Sequence, residues 1–228
     1  MADIQLQPYQ EDAVFQPGTG GVFHADPGTE PPSLKDLRTW VLGDRTQPIG
    51  DFEPLGYTSV EDLPGLGTET EGGEKKGVWE NPDFRITPVT TTETIKVQPV
   101  QWSPVPISHR FGKGARLDGD KGLVAVPNVY EPVERSLMVV ILDGSRPLVL
   151  HYYRVASAPD GDLELDRDSF ATLPVMYTVL SQPGKANKMN ILGYHLQTAD
   201  KDSDGTPDIL DTDTAPGTRP GMGTTPAE

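Results

Sequence analysis

The clearest pattern in the chain is a series of short apolar or alternating runs that are separated by turns containing glycine or proline. Ser136–Leu142 is apolar after its first residue and rich in β-branched side chains, which predicts a central strand buried on both faces. Asp143-Gly144 then favours a hairpin turn into a second strand over Leu148–Val155. Strands of this length at this spacing predict a β-sandwich or barrel.

Four further runs predict shorter strands. They are Thr92–Val97, Gly122–Val126, Leu163–Leu165 and Val175–Leu180. The turn dipeptide Asp160-Gly161 precedes the third of them, and Pro183-Gly184 ends the set.

Helical signals are sparse. Ser103–Phe111 predicts one helix, with Ser103 as N-cap, Pro104 at the first helical position and Gly112 as the stop. Leu34–Trp40, after a capping Ser33, fits either a second short helix or an irregular loop. Residues 1–30 are rich in proline, glycine and glutamine and lack periodicity, which predicts an extended N-terminal arm rather than a packed element.

A polar, glycine-rich segment separates two short strand candidates, Leu55–Pro64 and Gly77–Arg85. We expect Glu61–Gly77 to be a loop that is disordered in the free subunit, because its composition is dominated by glycine, threonine and charged residues. Loops of this length inside a small domain usually serve binding or assembly.

Composition limits the class of protein. The chain has 228 residues, which fits one β domain over residues 1–198 and a C-terminal extension over residues 199–228. Glycine and proline together make up 47 residues, which favours a turn-rich β protein over a helical one. The absence of cysteine excludes disulfides, zinc–thiolate sites and thiol nucleophiles. We expect neither a signal peptide nor a membrane segment, since the longest apolar run, Leu137–Leu142, has six residues.

No combination of residues predicts catalysis. The four histidines lack ligand spacing, and His151 lies in an apolar strand, where a structural role is expected. Glu61 with Asp62, and Asp166 with Asp168, are better explained as solvated loop charges than as acid–base pairs. We therefore expect a protein that is not an enzyme.

The C-terminal extension contains a pattern typical of calcium loops. Asp200–Asp213 reads D-x-D-x-D-G-x-P-D-x-x-D, with acidic residues and glycine at the loop positions that calcium binding requires. The predicted calcium ligands are the carboxylates of Asp200, Asp202, Asp204, Asp208 and Asp211 and the carbonyl of Thr206. The motif is more similar to thrombospondin type 3 repeats than to an EF-hand, because an aspartate replaces the closing glutamate. A disordered acidic tail is the alternative.

The charge is strongly negative but uneven. The net charge is −15, of which residues 200–213 contribute −5, so that −10 remains on residues 1–199. This argues against direct binding of nucleic acid, which requires a basic surface. By itself, the acidity is also what an ordinary cytoplasmic protein has.

Several short motifs follow one another in a distinctive order. Their residues are Gly56, Thr58, Ser59, Asp62, Gly72, Gly73, Gly77, Trp79, Asn81, Arg85, Gln101 and Trp102. This ordered set resembles the tail tube (major tail) proteins of long-tailed siphophages, especially those of actinobacterial hosts. Pro17–Phe23 and Leu165–Val175 extend the resemblance, which covers roughly residues 14–182.

The resemblance implies a fold and a function. The implied fold is a mainly β sandwich or barrel of two packed antiparallel sheets, with one short flanking helix, long loops and extended terminal arms. The implied function is a structural subunit that forms stacked hexameric rings around a negatively charged channel, through which DNA passes into the host without specific binding. Implied partners are further copies of the chain, a tape measure protein, a tail terminator and tail-tip proteins. The implied location is the virion tail, after assembly in the host cytoplasm.

Two alternatives remain open. One is a calcium-binding β-sandwich module for adhesion or decoration that stays monomeric. The other is a tail terminator or head–tail joining subunit, which would form single rings that never stack.

Overall fold

A computed structural model describes residues 14–163 and 165–196. The strands are β1 Thr19–Ala25, β2 Glu53–Pro54, β3 Gly65–Glu71, β4 Lys75–Val78, β5 Asn81–Ile86, β6 Thr90–Val97, β7 Arg116–Asp118, β8 Leu123–Ala125, β9 Glu134–Asp143, β10 Arg146–Pro159, β11 Val175–Val179 and β12 Met189–Gly193. The helices are α1 Leu34–Leu42, α2 Pro104–Phe111 and a 3₁₀ turn over Tyr194–Leu196. No helix in the described ranges is long and apolar enough to cross a membrane.

Eight strands form one antiparallel sheet in the order β2-β1-β9-β10-β11-β6-β3. The eighth strand, β12, pairs with the first half of β10, from Leu148 to Tyr152, while β11 pairs with the second half, from Val155 to Pro159. Two small two-stranded sheets, β4–β5 and β7–β8, complete the strand pairing. The predicted mainly β, antiparallel fold of the sandwich type is therefore confirmed, and its main layers belong to one continuous sheet.

Strand β9 is buried on both faces, as its apolar run predicted. Leu137 and Val139 join a cluster with Val22 and Ile95 that lies on one face of the sheet. Met138, Val140 and Leu142 point to the opposite face, because side chains alternate along a strand. There they pack in a second cluster with residues of β1, α1 and the segment that precedes β2.

The helix predicted at Ser103–Phe111 is confirmed, although the Ser103 side chain makes no capping hydrogen bond. The segment at Leu34–Trp40, which the sequence left open, forms a second short helix where one had been expected. The Ser33 hydroxyl accepts a hydrogen bond from the Asp36 N–H and caps α1, whose Leu37 and Trp40 are buried. Helix α2 begins at Pro104 and stops at Gly112, whose φ of 93° suits glycine. A Cβ at Gly112 would lie 2.6 Å from the Glu131 carbonyl oxygen, so the close approach of the chains also requires glycine.

The prediction of an extended arm over residues 1–30 is wrong for Thr19–Ala25. This segment forms β1, which pairs with β9 along all seven of its residues. Its glycines read as loop signals, yet they permit close pairing, since a Cβ at Gly20 would lie 2.2 Å from the Val140 carbonyl oxygen. Val22 and Phe23 are buried on opposite faces, which identifies β1 as a core strand.

The end of the strand set also differs from the prediction. Leu163 and Leu165 lie in irregular chain, because β10 continues to Pro159 and pairs directly with β11. The excursion between them is closed by a hydrogen bond from the Asp160 N–H to the Pro174 carbonyl. Strand β12 lies beyond the turn at Pro183-Gly184 where the set was expected to end.

Two buried histidines are held neutral by the fold. His151 has the structural role that was predicted: its Nε2 lies 3.0 Å from the Thr29 carbonyl oxygen, and the Asn190 amide lies 3.2 Å from its Nδ1. The His109 Nδ1 lies 2.9 Å from the Tyr177 hydroxyl. Burial lowers the pKa of His109 to about 3, and the nearby His24 and Arg135 add to this shift. Burial also lowers the pKa of His151 to about 4, against the opposing effects of its hydrogen bond to Thr29 and of Glu30.

These histidines predict that the subunit loses stability in mild acid. The unfolded chain binds protons below pH ~6.5, while folded His109 and His151 do not, so the free energy of unfolding falls as the pH decreases through this window. Each histidine is expected to remove roughly 3 kcal/mol between pH 6.5 and 4. Urea titrations at pH 7, 6 and 5 measure the effect above the range in which most carboxylates titrate. A free energy of unfolding that stays constant from pH 7 to 5 would contradict it.

Candidate assembly surfaces

The segment predicted as a disordered loop, Glu61–Gly77, forms most of one side of a long β-hairpin. Gly65 of β3 lies opposite Lys96 of β6, and the register continues without a shift to Lys76 opposite Arg85. The ribbon turns at Trp79-Glu80, between β4 and β5. We call residues 65–97 the assembly arm and Val78–Asn81 its tip. Fourteen residues separate base and tip on the first side, which corresponds to about 45 Å at ~3.3 Å per residue.

Two glycines lie at the break in pairing between β3 and β4, and a second irregularity in the arm lies between Lys76 and Val78. Gly72 and Gly73 have φ values of 89° and 75°, in the left-handed region that favours glycine. A Cβ at Gly72 would lie 2.1 Å from the Pro88 carbonyl oxygen of the opposite side. Beyond them, the Thr87 N–H donates to the Glu74 carbonyl at 2.9 Å, which restores the ladder. The left-handed backbone and the close approach of the opposite strand therefore explain why the motif has glycine at Gly72 and Gly73.

The assembly arm exposes both of its faces beyond its base. Every residue of β3 and β4 is exposed, whereas Ile95 and Val97 of β6, at the base of the arm, are buried in the core of the body. Trp79 at the tip has 99% of its surface exposed. Val78, Phe84, Ile86 and Val89 add exposed apolar surface nearby. Exposed apolar surface on a projecting element is typical of an interaction site.

A compact anchor holds the base of the arm to the body of the subunit. The Tyr57 N–H donates to the Gln101 side-chain oxygen at 3.1 Å, and the Gln101 amide donates to the Ser103 hydroxyl at 3.2 Å. The Trp102 indole donates to the Ala171 carbonyl at 3.0 Å. Gly56 adopts a φ of 120°, and a Cβ there would lie 3.1 Å from the Gln101 Oε1. The Gln-Trp pair of the motif thus belongs to this anchor.

An apolar groove lies beside the base of the arm. It has a volume of about 290 Å³ and runs along Pro17–Val22. Val60, Leu63 and Leu66 form one wall of this base groove, and Val139 and Leu150 contribute to the rest of its lining. Val60 is 81% exposed, and Leu63 and Leu66 are each 55% exposed, so this wall carries apolar surface open to solvent.

The structure thus divides the sequence motif into two groups. Gly56, Thr58, Gln101 and Trp102 belong to the base, whereas the residues from Gly72 to Arg85 build the arm. The base groove was not predicted from the sequence. Its only local signal is the three-residue spacing of Val60, Leu63 and Leu66, which does not match the two-residue alternation of a strand.

The predicted calcium ligands Asp200, Asp202, Asp204, Thr206, Asp208 and Asp211 lie outside the residues that the structure describes. Within residues 14–163 and 165–196, no group of three or more histidine or acidic side chains could hold a metal ion. The calcium loop therefore stays a prediction.

Comparisons with known proteins identify relatives that match most of this chain. A profile of the family described as phage tail tube protein matches residues 7–201. Major tail protein Gp23 of Mycobacterium phage D29 is 30% identical over 173 residues, which cover 75% of this chain and 86% of that protein. Major tail protein Gp23 of Mycobacterium phage L5 is 29% identical over 183 residues, with the same two coverages of 75% and 86%. The family match includes the assembly arm, its anchor and the base groove.

Proposed function

The chain belongs to the phage tail tube protein family and is a component of the virion tail, and from this premise we propose that it forms the tail tube as stacked hexameric rings. In this proposal, the tube conducts the viral DNA from the capsid into the host. The observation that carries it is the assembly arm, which is about 45 Å long at ~3.3 Å per residue and whose strands β3 and β4 are exposed along their whole length. Such an element has a physical role only when it contacts another molecule.

Assembly rather than catalysis is the proposed mechanism. Within a ring, pairing between subunits would cover sheet edges that otherwise risk aggregation, and β3 is a seven-residue edge strand of the main sheet. Between rings, the arm of one subunit would contact the next ring. A contact between two different surfaces that does not close on itself generates a filament.

We propose that the channel is negatively charged. Residues 1–199 carry a net charge of −10, and a hexamer would repeat this charge around the lumen. Repulsion between the wall and the phosphates would let DNA move without sticking. A structure of the assembled tube measures this directly: a neutral or basic inner surface would contradict the sliding mechanism and leave the acidity as a solubility feature.

Other tail components are expected as partners. A tape measure protein would occupy the lumen before the DNA, and a tail terminator and tail-tip proteins would meet the two ends of the tube.

The C-terminal motif supports a second, independent proposal of calcium binding. We expect full-length protein to bind calcium in the range from about 0.1 to 1 mM, because the loop supplies several carboxylates but lacks the closing bidentate glutamate. Isothermal titration calorimetry of the full chain measures this, and the variant Asp200→Asn/Asp202→Asn/Asp204→Asn is the control. The urea midpoint is expected to change little on adding calcium, because every predicted ligand lies in the C-terminal extension. If no heat of binding is detected at millimolar calcium, the C-terminal segment is an acidic tail that does not bind calcium.

Electron microscopy of purified protein at high concentration tests the proposed function. Tubes of stacked rings support it, single rings that never stack would favour a terminator or joining subunit, and a monomer would favour an adhesion or decoration module. Size-exclusion chromatography across the same concentration range provides the matching measurement in solution.

A further inference from the structure

We propose that the tip of the assembly arm of one subunit docks into the base groove of a second copy of the chain. The inference rests on the proposed function and specifies which two surfaces meet when rings stack. Two properties carry it: both surfaces expose apolar side chains, and a basic pair on the arm matches an acidic pair in the chain segment that lines the groove.

The tip carries exposed apolar side chains beside the acidic Glu80, and a pair of basic residues lies below it. Trp79 projects with 99% of its surface exposed and is flanked by exposed Val78. Two rungs below, Lys76 lies directly opposite Arg85 across the hairpin. Like charges placed opposite each other destabilise a β-ribbon. Among the described residues, neither side chain forms an ion pair.

The base groove has an apolar lining, and two acidic residues lie in the chain between its lining residues Val60 and Leu63. Exposed Val60, Leu63 and Leu66 form its outer wall. Glu61 and Asp62 lie in the same segment, and both carboxylates are exposed and without an ion-pair partner among the described residues. The Ser59 hydroxyl accepts hydrogen bonds from the backbone N–H groups of both residues, at 3.2 and 3.3 Å, and this turn holds their backbone next to the groove-lining residue Val60.

The groove cannot be filled by the tip of its own arm. Leu66 belongs to both the arm and the groove wall, and thirteen residues of paired ribbon separate it from Trp79. A paired ribbon of about 40 Å, at ~3.3 Å per residue, does not fold back onto its own base. The occupant must therefore come from another subunit, displaced by about one arm length. Repetition of such a displacement produces a stack rather than a closed pair.

The absence of cysteine from the chain makes a direct test possible. The variant Glu80→Cys/Val60→Cys places one thiol beside Trp79 and one on the groove wall. Under mild oxidation of assembled protein, we expect a ladder of covalent oligomers on non-reducing gels, and a mixture of the two single variants is expected to stop at dimers. The control Glu80→Cys/Phe170→Cys pairs the tip with an exposed position outside the groove and is expected to give no ladder.

Charge-reversal variants test the proposed attraction between the basic pair of the arm and the acidic pair of the groove segment. Lys76→Glu/Arg85→Glu and Glu61→Lys/Asp62→Lys are each expected to raise the protein concentration needed for tube formation by at least on the order of tenfold. Combining all four substitutions is expected to restore assembly. The control Lys113→Glu/Arg116→Glu makes the same change of charge on an exposed segment away from the arm and is expected to leave assembly unchanged.

The outcomes separate this proposal from the proposed function. Tubes of the parent chain without a cysteine ladder, or without rescue by the fourfold variant, would overturn the tip–groove contact and leave the tail tube intact. Failure of the parent chain to form rings or tubes would overturn the proposed function and this contact together.

Discussion

A variant in which residues 72–89 are replaced by the dipeptide Asn-Gly is expected to fold as a soluble monomer that forms no tubes. Glu71 and Thr90 lie directly opposite each other in the ribbon, so a two-residue turn joins them in a geometry that hairpins favour. None of the removed residues whose burial is described is buried. The main sheet and both core clusters therefore keep all of their contacts.

Three measurements define the result for the shortened arm. Circular dichroism and the urea midpoint are expected to match those of the parent chain, since substitutions at exposed positions usually change stability by less than about 0.5 kcal/mol. Electron microscopy is expected to show no tubes at concentrations where the parent chain assembles completely. Tubes of normal length from this variant would show that the arm does not stack rings.

The second large effect concerns two tryptophans with opposite environments. Trp40 is 5% exposed; its ring centroid lies 5.4 Å from that of Phe23, and its indole donates to the Gln47 carbonyl at 3.0 Å. Trp40→Ala is expected to cost about 3–5 kcal/mol, because it leaves a cavity beneath α1 and an unpaired carbonyl. This is a large part of the roughly 5–15 kcal/mol that stabilises a typical domain.

Trp79→Ala is the matched comparison. Trp79 is almost completely exposed, so its removal is expected to change the free energy of unfolding by less than about 0.5 kcal/mol. Assembly is nevertheless expected to fail, because the tip loses its apolar centre. Urea titrations and electron microscopy of both variants measure the two properties separately. If Trp79→Ala destabilised the subunit, or assembled normally, the division between core and assembly surface would be wrong.

Local sequence patterns were sufficient to predict the elements whose stabilising contacts join residues close together in the sequence. The apolar run at Ser136–Leu142 and the Asp143-Gly144 turn predicted β9 and its hairpin with β10, because strand burial and turn geometry are encoded within a few residues. Helix α2 was predicted for the same reason, from Pro104 at its start and Gly112 at its end. The order of the motif residues also identified the family.

Elements that depend on distant partners were not visible in the same way. Thr19–Ala25 reads as a loop because of its glycines, yet pairing with β9 more than a hundred residues away makes it a core strand. β12 is weakly patterned and exists through its pairing with β10. In both cases the stabilising contacts come from tertiary structure, which overrides local preference.

The assembly arm has some features that its sequence predicted and others that depend on tertiary structure. Its glycine, threonine and charged residues determined by themselves that the segment would be exposed and polar, and that it could not form a core. Only the tertiary structure decided that β3 pairs with β6, which extends the register from the main sheet into a ribbon ending at Trp79. The physical reason is that backbone hydrogen bonds along a ladder need a partner strand but no apolar side chains. The base groove likewise exists only because the fold brings Pro17–Val22 beside Val60, Leu63 and Leu66.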